Sequence, residues 1–215
     1  VSRVRVGLFG GTFDPIHHGH LRSAEEIWED FELDQVVIIP AYLPPHKEDI
    51  PVTTFEHRLR MCQLAAEHNQ NFVVSDMESK RQGKSFSIDT LRDFKTRRPS
   101  DRLHFILGMD AFLDILAWQD FRDLFSLSHF IVMARPGYSR SRVEEVLENV
   151  SPEFRHDPRK GRYLHPSGQY VYFWETTLLD ISSTRIRHYV KESKSIRYLL
   201  PENVEEYIYS HGLYR

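Results

Sequence analysis

Cysteine is nearly missing from these 215 residues: Cys62 is the only one. A single thiol closes no internal disulfide and supplies no cysteine-rich metal site, and it fits a reducing cytoplasm. Long apolar runs are missing too. No stretch approaches the ~18 residues that a membrane span requires, and the first residues lack a secretory-leader pattern, so no membrane partner is expected. Charge of one sign is not in excess. The 28 Lys and Arg against 31 Asp and Glu leave a formal −3, which argues against a general nucleic-acid binder. Repeats and low-complexity segments are absent, and so are two phosphate signatures: Gly-x-Gly-x-x-Gly, and a glycine loop ending in a lysine. What remains, 40% of it hydrophobic, can bury a core as one domain over 1–215, with a small helical part at about 183–215.

The stretch the chain is organised around is Gly10-Gly11-Thr12-Phe13-Asp14-Pro15-Ile16-His17-His18-Gly19-His20. Before it, Val4 to Phe9 reads as a buried strand. After it, Leu21, Ala24, Ile27, Trp28 and Phe31 fall at helical spacing. A glycine turn between strand and helix leaves helix N–H groups facing an anion, with no β-carbon on Gly10 or Gly11 in the way. His17 and His20, three apart, share one face of the first helical turn. The expected ligand is a phosphate. Each piece has a plainer use: Gly10-Gly11 as a tight turn, Asp14-Pro15 as a turn initiator, His17 and His20 as zinc ligands. Zinc would want two further ligands at short spacing, and Cys62 is far away in a helical pattern.

Strands and helices then alternate. Val36 to Ile39 is a strand ending at Pro40, and Ala41 to Thr53 is a long loop carrying Pro44, Pro45 and Pro51 around a cationic tip, His46-Lys47. Thr53 with Glu56 predicts a capping box for a helix with Phe55, Leu59, Cys62 and Ala66 on one face. Phe72 to Val74 is the third strand, and Ser87 is the expected N-cap of a helix burying Ile88, Leu91 and Phe94. Leu103 to Leu107 is a strand broken at Gly108-Met109-Asp110, followed by aromatics from Phe112 through Trp118 to Phe125, which at those spacings also suit a core. His129 to Ala134 is a strand closed by Arg135-Pro136-Gly137. Val143, Val146 and Leu147 mark a helix, and 151–168 reads as irregular. Tyr170 to Trp174 is a strand, and a last helix starts with Pro201 in its first turn and stops at Gly212. The class is α/β with a mostly parallel sheet. Between these, Ser182-Ser183-Thr184 before Arg185 and Arg187 repeats the anion logic of the first turn, although an ordinary serine cap would look the same. In an open parallel sheet all these turns fall at the carboxyl ends of the strands.

Gly10 to His20 together with Ile181-Ser182-Ser183-Thr184-Arg185-Ile186-Arg187 resembles the nucleotidyltransferase superfamily that shares the class I aminoacyl-tRNA synthetase nucleotide-binding fold. Pro44 to Lys47, Ser85 to Leu91, Gly108 to Phe112 with Trp118, and Arg135-Pro136-Gly137 narrow the resemblance to bacterial nicotinate-nucleotide adenylyltransferases, up to about Arg187. That implies a Rossmann-like nucleotidyltransferase fold and transfer of AMP from ATP to nicotinate mononucleotide, giving deamido-NAD and pyrophosphate. It also implies roles. Gly10, Gly11, Thr12 and Phe13 would cradle ATP, His17 and His20 would contact its phosphates, and Ser183, Thr184 and Arg187 would hold the triphosphate from the other side. His46 and Lys47 would close over the reacting phosphates. Ser87 would meet the nicotinate carboxylate, Trp118 would stack on the pyridine ring, Gln119 would offer a backbone contact, and Asp110 and Arg135 would complete the acceptor side. Phe86 and Gln119 stand where many relatives carry tyrosine.

The chemistry fits the inventory. The acceptor phosphate, with a second pKa of about 6, is already largely dianionic, so it needs no general base and no covalent nucleophile. Alignment and charge neutralisation remain, a task for His17, His20, Lys47, Arg187 and helix N-termini. Mg²⁺ is expected to arrive with ATP, without a dedicated protein ligand. A different acceptor, such as nicotinamide mononucleotide or phosphopantetheine, and a regulator that has lost catalysis are the alternatives. The pattern sets no oligomeric state.

Overall fold

The computed structural model describes residues 3–44, 52–81, 83–134 and 140–215. The first half alternates strand and helix as β1 (Arg5–Gly11), α1 (His18–Asp30), β2 (Gln35–Pro40), α2 (Phe55–Ala66), β3 (Phe72–Val74), α3 (Ser87–Arg97) and β4 (Arg102–Gly108). The second half runs α4 (Met109–Leu113), α5 (Phe121–Leu127), β5 (His129–Ala134), α6 (Arg140–Val150), β6 (Arg155–Asp157), β7 (Arg162–Leu164), β8 (Tyr170–Glu175), α7 (Ser183–Lys191) and α8 (Glu202–Ser210).

Among the described residues the strands form one sheet in the order β3-β2-β1-β4-β5-β8-β7-β6. It is parallel from β3 to β8, and β7 and β6 add an antiparallel edge. Apolar runs such as Val36 to Ile39 have no polar face because helices cover both sides. Val6, Leu8, Leu103, Phe105 and Leu107 pack with α3, α4, α5 and α6. Ile38, Ile106 and Ile131, one residue out of phase, pack with α1, α2, α7 and α8. The alternation of side chains along each strand divides the core in this way.

The structure corrects several expectations. Gly10 and Gly11 are the last residues of β1, paired with Ile39 and Pro40, and the turn begins at Thr12. Segment 151–168 is not irregular; it holds the β6–β7 hairpin, whose three-residue strands are too short and polar to show a period. The Thr53–Glu56 capping box gives way to Thr54 as N-cap of α2, because Thr53 is used elsewhere: its N–H donates to Asp14 and its carbonyl accepts from Arg58. Phe86, not Ser87, is the N-cap of α3, which makes Ser87 the first helical residue, and Pro201 is likewise the N-cap of α8. Leu59 is only half-buried, and its place on the inner face of α2 is taken by Arg58.

Arg58 is buried to 1% exposure and donates to three carbonyls: Thr53 (2.8 Å), Thr12 (2.8 Å) and Tyr42 (3.2 Å). One guanidinium thus fastens the turn after β1, the exit of β2 and the entry to α2. Burial pulls its pKa down and the nearby Asp14 opposes that pull. Arg58→Ala strands three half-buried acceptors and empties a buried site, and is expected to cost about 3–5 kcal/mol in denaturant unfolding; a loss under about 1 kcal/mol would contradict this role.

Candidate active site

The carboxyl ends of β1 and β4 open into two adjoining cavities, of about 390 and 250 Å³, that share Gly10, Gly11 and Gly108. Phe13, His17, Gly19, His20, Asp110 and Ser183 line the larger one. Thr12, Ser87, Trp118 and Gln119 line the smaller one with Phe86, Phe105 and Glu78. The first stretch of interest therefore serves both spaces, as expected of a switch point in a doubly wound sheet.

The two glycines serve different ends. Among the described residues a β-carbon on Gly10 would meet only Phe105, at 3.9 Å, and Gly10 lines both cavities. On Gly11 it would strike the Phe13 ring at 2.8 Å, so Gly11 is there for close packing and not for ligand approach alone. Gly19 matters in the same way: its β-carbon would lie 3.0 Å from the His17 ring.

His17 is the N-cap of α1 and His20 its third residue, and their rings stack at 3.7 Å. The Phe13 ring meets His20 edge-on at 5.1 Å. His20 Nδ1 accepts the His17 backbone N–H at 3.2 Å, so a neutral His20 carries its proton on Nε2 and can donate it. Burial, then the charge of His18, lowers the His17 pKa to about 4, and burial, then His17, holds His20 well below the ordinary value. Both rings are therefore neutral near pH 7. The His17 Nδ1 is buried and has no partner among the described residues.

This depression sets a stability window. His17 has a folded pKa of about 4 against 6.5 unfolded, so between those values the unfolded chain binds the extra proton. Stability is complete above pH 6.5 and falls as pH drops towards 4, by up to about 3 kcal/mol from this group. Denaturant midpoints measured from pH 7.5 to 4.5 should decline, and less steeply for His17→Asn; parallel declines would contradict it.

The second anchor comes from α7. Ser182 caps the helix, accepting from the Arg185 N–H at 3.2 Å. Ser183 Oγ donates to the Pro15 carbonyl at 2.8 Å, and Arg187 donates to the Asp14 carbonyl at 2.7 Å and to Thr184 Oγ1 at 3.3 Å. Ser183 reaches the larger cavity, whereas Thr184 and Arg187 lie behind the Asp14–Pro15 turn and line neither space. Asp110 faces the histidine cavity rather than the one holding Trp118. His46, Lys47 and Arg135 lie outside the described residues.

Sequence reasoning missed three residues. Asp14 Oδ1 accepts from the Tyr214 hydroxyl at 2.7 Å, so the second-last residue of the chain braces the turn. Burial and the Asp14 charge push that phenol's pKa up. Glu78 lines the smaller cavity, with Oε1 accepting from Thr90 at 2.7 Å and ion-paired with Arg81 at 3.7 Å. Arg58 did leave a signal, a cation at a buried helical position between Phe55 and Cys62; Tyr214 and Glu78 left none.

Among the described residues no three His, Cys, Asp or Glu side chains converge as a metal cage, and Asp110 is the carboxylate on the wall of the histidine cavity. That donor set suits a hydrated cation carried by ligand phosphates.

Comparison with known proteins adds family relationships. A family model described as Cytidylyltransferase-like matches residues 8–189. A protein of Geobacter sp. strain M21 named "Probable nicotinate-nucleotide adenylyltransferase" is 48% identical over 212 residues, 98% of each chain. One of the same name from Syntrophotalea carbinolica is 46% identical over 213 residues, 99% of this chain and 98% of the other. The fold resembles that of the Plasmodium falciparum nicotinic acid mononucleotide adenylyltransferase complexed with NaAD, with a TM-score of 0.76 at 20% identity over 99% of this chain and 98% of that one.

Proposed function

Because the chain belongs to the nicotinate-nucleotide adenylyltransferases, within the Cytidylyltransferase-like family, we propose that it carries out their reaction: adenylyl transfer from ATP to nicotinate mononucleotide, giving deamido-NAD and pyrophosphate. The observation that carries this reading is the pair of cavities joined at Gly10, Gly11 and Gly108, which suits two nucleotides meeting at one phosphorus.

The histidine cavity takes ATP and the Trp118 cavity takes the pyridine. An oxygen of the acceptor phosphate attacks the α-phosphorus, the new P–O bond forms as the α–β bridging bond breaks, and pyrophosphate leaves. The acceptor is already a dianion, so no base acts. Neutral His20 donates from Nε2 to a phosphate oxygen as charge builds there, and the N-terminus of α1 adds N–H groups and its dipole. A donor of fixed tautomer, held by the His17 N–H, needs no reorganisation during the reaction. Arg187 and Ser183 hold the Asp14–Pro15 turn, and a triphosphate extending out of the cavity past Ser183 would meet the remaining donors of the guanidinium. Lys47, His46 and Arg135 are proposed as further cationic contacts. Mg²⁺ bound to the ATP phosphates would supply charge neutralisation, with Asp110 positioned to accept from its waters.

No helix among the described residues is long and apolar enough to cross a membrane, and we assign the activity to the cytoplasm, where the single buried Cys62 would stay reduced. The test is a panel of acceptors with ATP and Mg²⁺, following pyrophosphate release. Turnover with nicotinate mononucleotide and little with phosphopantetheine is expected. No release with any pyridine nucleotide would overturn the reading.

A further inference from the structure

At the opposite, amino-terminal ends of β4 and β5 lies a polar cavity of about 410 Å³ that the reaction does not use. His104 and His129, paired across the two strands with rings 4.9 Å apart, form its floor. His104 is 5% exposed, and its Nδ1 is buried without a partner among the described residues. His129 Nδ1 accepts the Tyr170 N–H at 2.9 Å, so in the neutral ring Nε2 carries the proton and is a donor.

Around this floor stand cations from four separate parts of the chain: Arg3 before β1, Lys95 on α3, Arg102 at the start of β4 and Arg162 on β7. Arg162 lies 3.8 Å over the Tyr170 ring and 3.3 Å from Asp157, and Lys95 donates to the Asp101 carbonyl at 3.1 Å. Arg3 and Arg102 have no ion pair among the described residues. The Asp101 carboxylate also lines the cavity, but it is paired with Arg98 at 3.5 Å. Arg5, close to His104, is paired with Glu32. Positive charge therefore outweighs negative around two buried imidazoles. Burial chiefly, then His129, brings the His104 pKa to about 3; a hydrogen bond with the Arg102 backbone opposes this, and the charges of Arg102 and Arg5 add smaller downward pulls. Burial first, then Arg102, Lys95 and Arg162, bring His129 to about 4.

We propose that this cavity is a second ligand site that takes a small phosphate-class oxyanion, either free phosphate or the phosphate of a monoester. Three guanidinium forks and a lysine match a tetrahedral dianion, with imidazole N–H beneath. The volume far exceeds the roughly 30 Å³ share of a single water. Arg102 and Gly108 close opposite ends of β4, so the length of a strand, about 20 Å, separates the site from the nucleotide cavities.

Imidazole ¹H–¹⁵N spectra of the full chain, titrated at constant ionic strength with inorganic phosphate and separately with glycerol 3-phosphate, test this. Saturable shifts of His104 and His129 are expected with at least one of the two, and whichever saturates at lower concentration identifies the source. Arg102→Ala and Arg162→Met should each weaken that binding at least about 10-fold, while Arg187→Ala leaves it unchanged. Shifts confined to His17 and His20, shifts reproduced by chloride, or binding indifferent to Arg102 and Arg162 would overturn the site.

Discussion

His20→Ala is expected to lower turnover by about 10²–10³, equivalent to roughly 3–4 kcal/mol of transition-state stabilisation, with little change in ATP binding. The reason is the fixed tautomer. Nδ1 is occupied by the His17 N–H, so Nε2–H is the side facing the cavity. The ring is neutral in the free protein, which makes it a weak contact for ground-state phosphates and a stronger one as charge develops. The fold should survive, since the variant loses one helix-cap hydrogen bond worth about 1 kcal/mol, or some 2–4 °C in a chain of this size. Turnover and thermal unfolding are to be measured on one preparation. Near-normal turnover would remove His20 from the mechanism, and a collapsed melting profile would make its role packing against His17 and Phe13.

The acid should be preferred over the amide as acceptor, with catalytic efficiency for nicotinate mononucleotide at least ~100-fold above that for nicotinamide mononucleotide, about 2.7 kcal/mol. The smaller cavity meets α3 at its start. With Phe86 as the N-cap, α3 begins at the cavity wall with Ser87, and the hydroxyl and N–H donors that a helix start of this kind offers suit a carboxylate. An amide would turn its NH₂ towards some of those donors and leave them unpaired, which a site of this kind rejects strongly. Glu78 is the carboxylate among the described residues on this wall, and its repulsion is reduced because Thr90 and Arg81 hold one of its oxygens. Trp118→Ala should weaken both acceptors alike, since stacking does not sense the substituent, whereas Ser87→Ala should erode the discrimination. Equal efficiencies for the two acceptors would overturn the substrate assignment and leave adenylyl transfer standing.

What could be read from sequence follows from what each signal depends on. The parallel strands were legible because they are covered on both faces and so carry uninterrupted apolar runs, as at Val36 to Ile39 and His129 to Ala134. The turn after β1 and the start of α7 were legible because helix N-termini need particular residue types. The β6–β7 hairpin was not, because it rests on pairing with β8 at a sheet edge and not on its own composition. Boundaries slipped by a residue at α2 and α3, where a tertiary contact or backbone angle decides the cap. The braces on the Asp14–Pro15 turn were the least visible. Tyr214 and Arg187 lie 200 and 173 residues from Asp14 in the chain, and only the closed fold brings them together.

In the proposed reaction two nucleotides occupy the adjoining cavities at once and react directly, with no covalent intermediate on the protein. The stereochemical course at the α-phosphorus tests this most directly, using ATP made chiral at that atom and nicotinate mononucleotide as acceptor. A single in-line displacement predicts inversion in the deamido-NAD formed. Retention would mean two successive displacements through a covalent intermediate, and would overturn direct transfer.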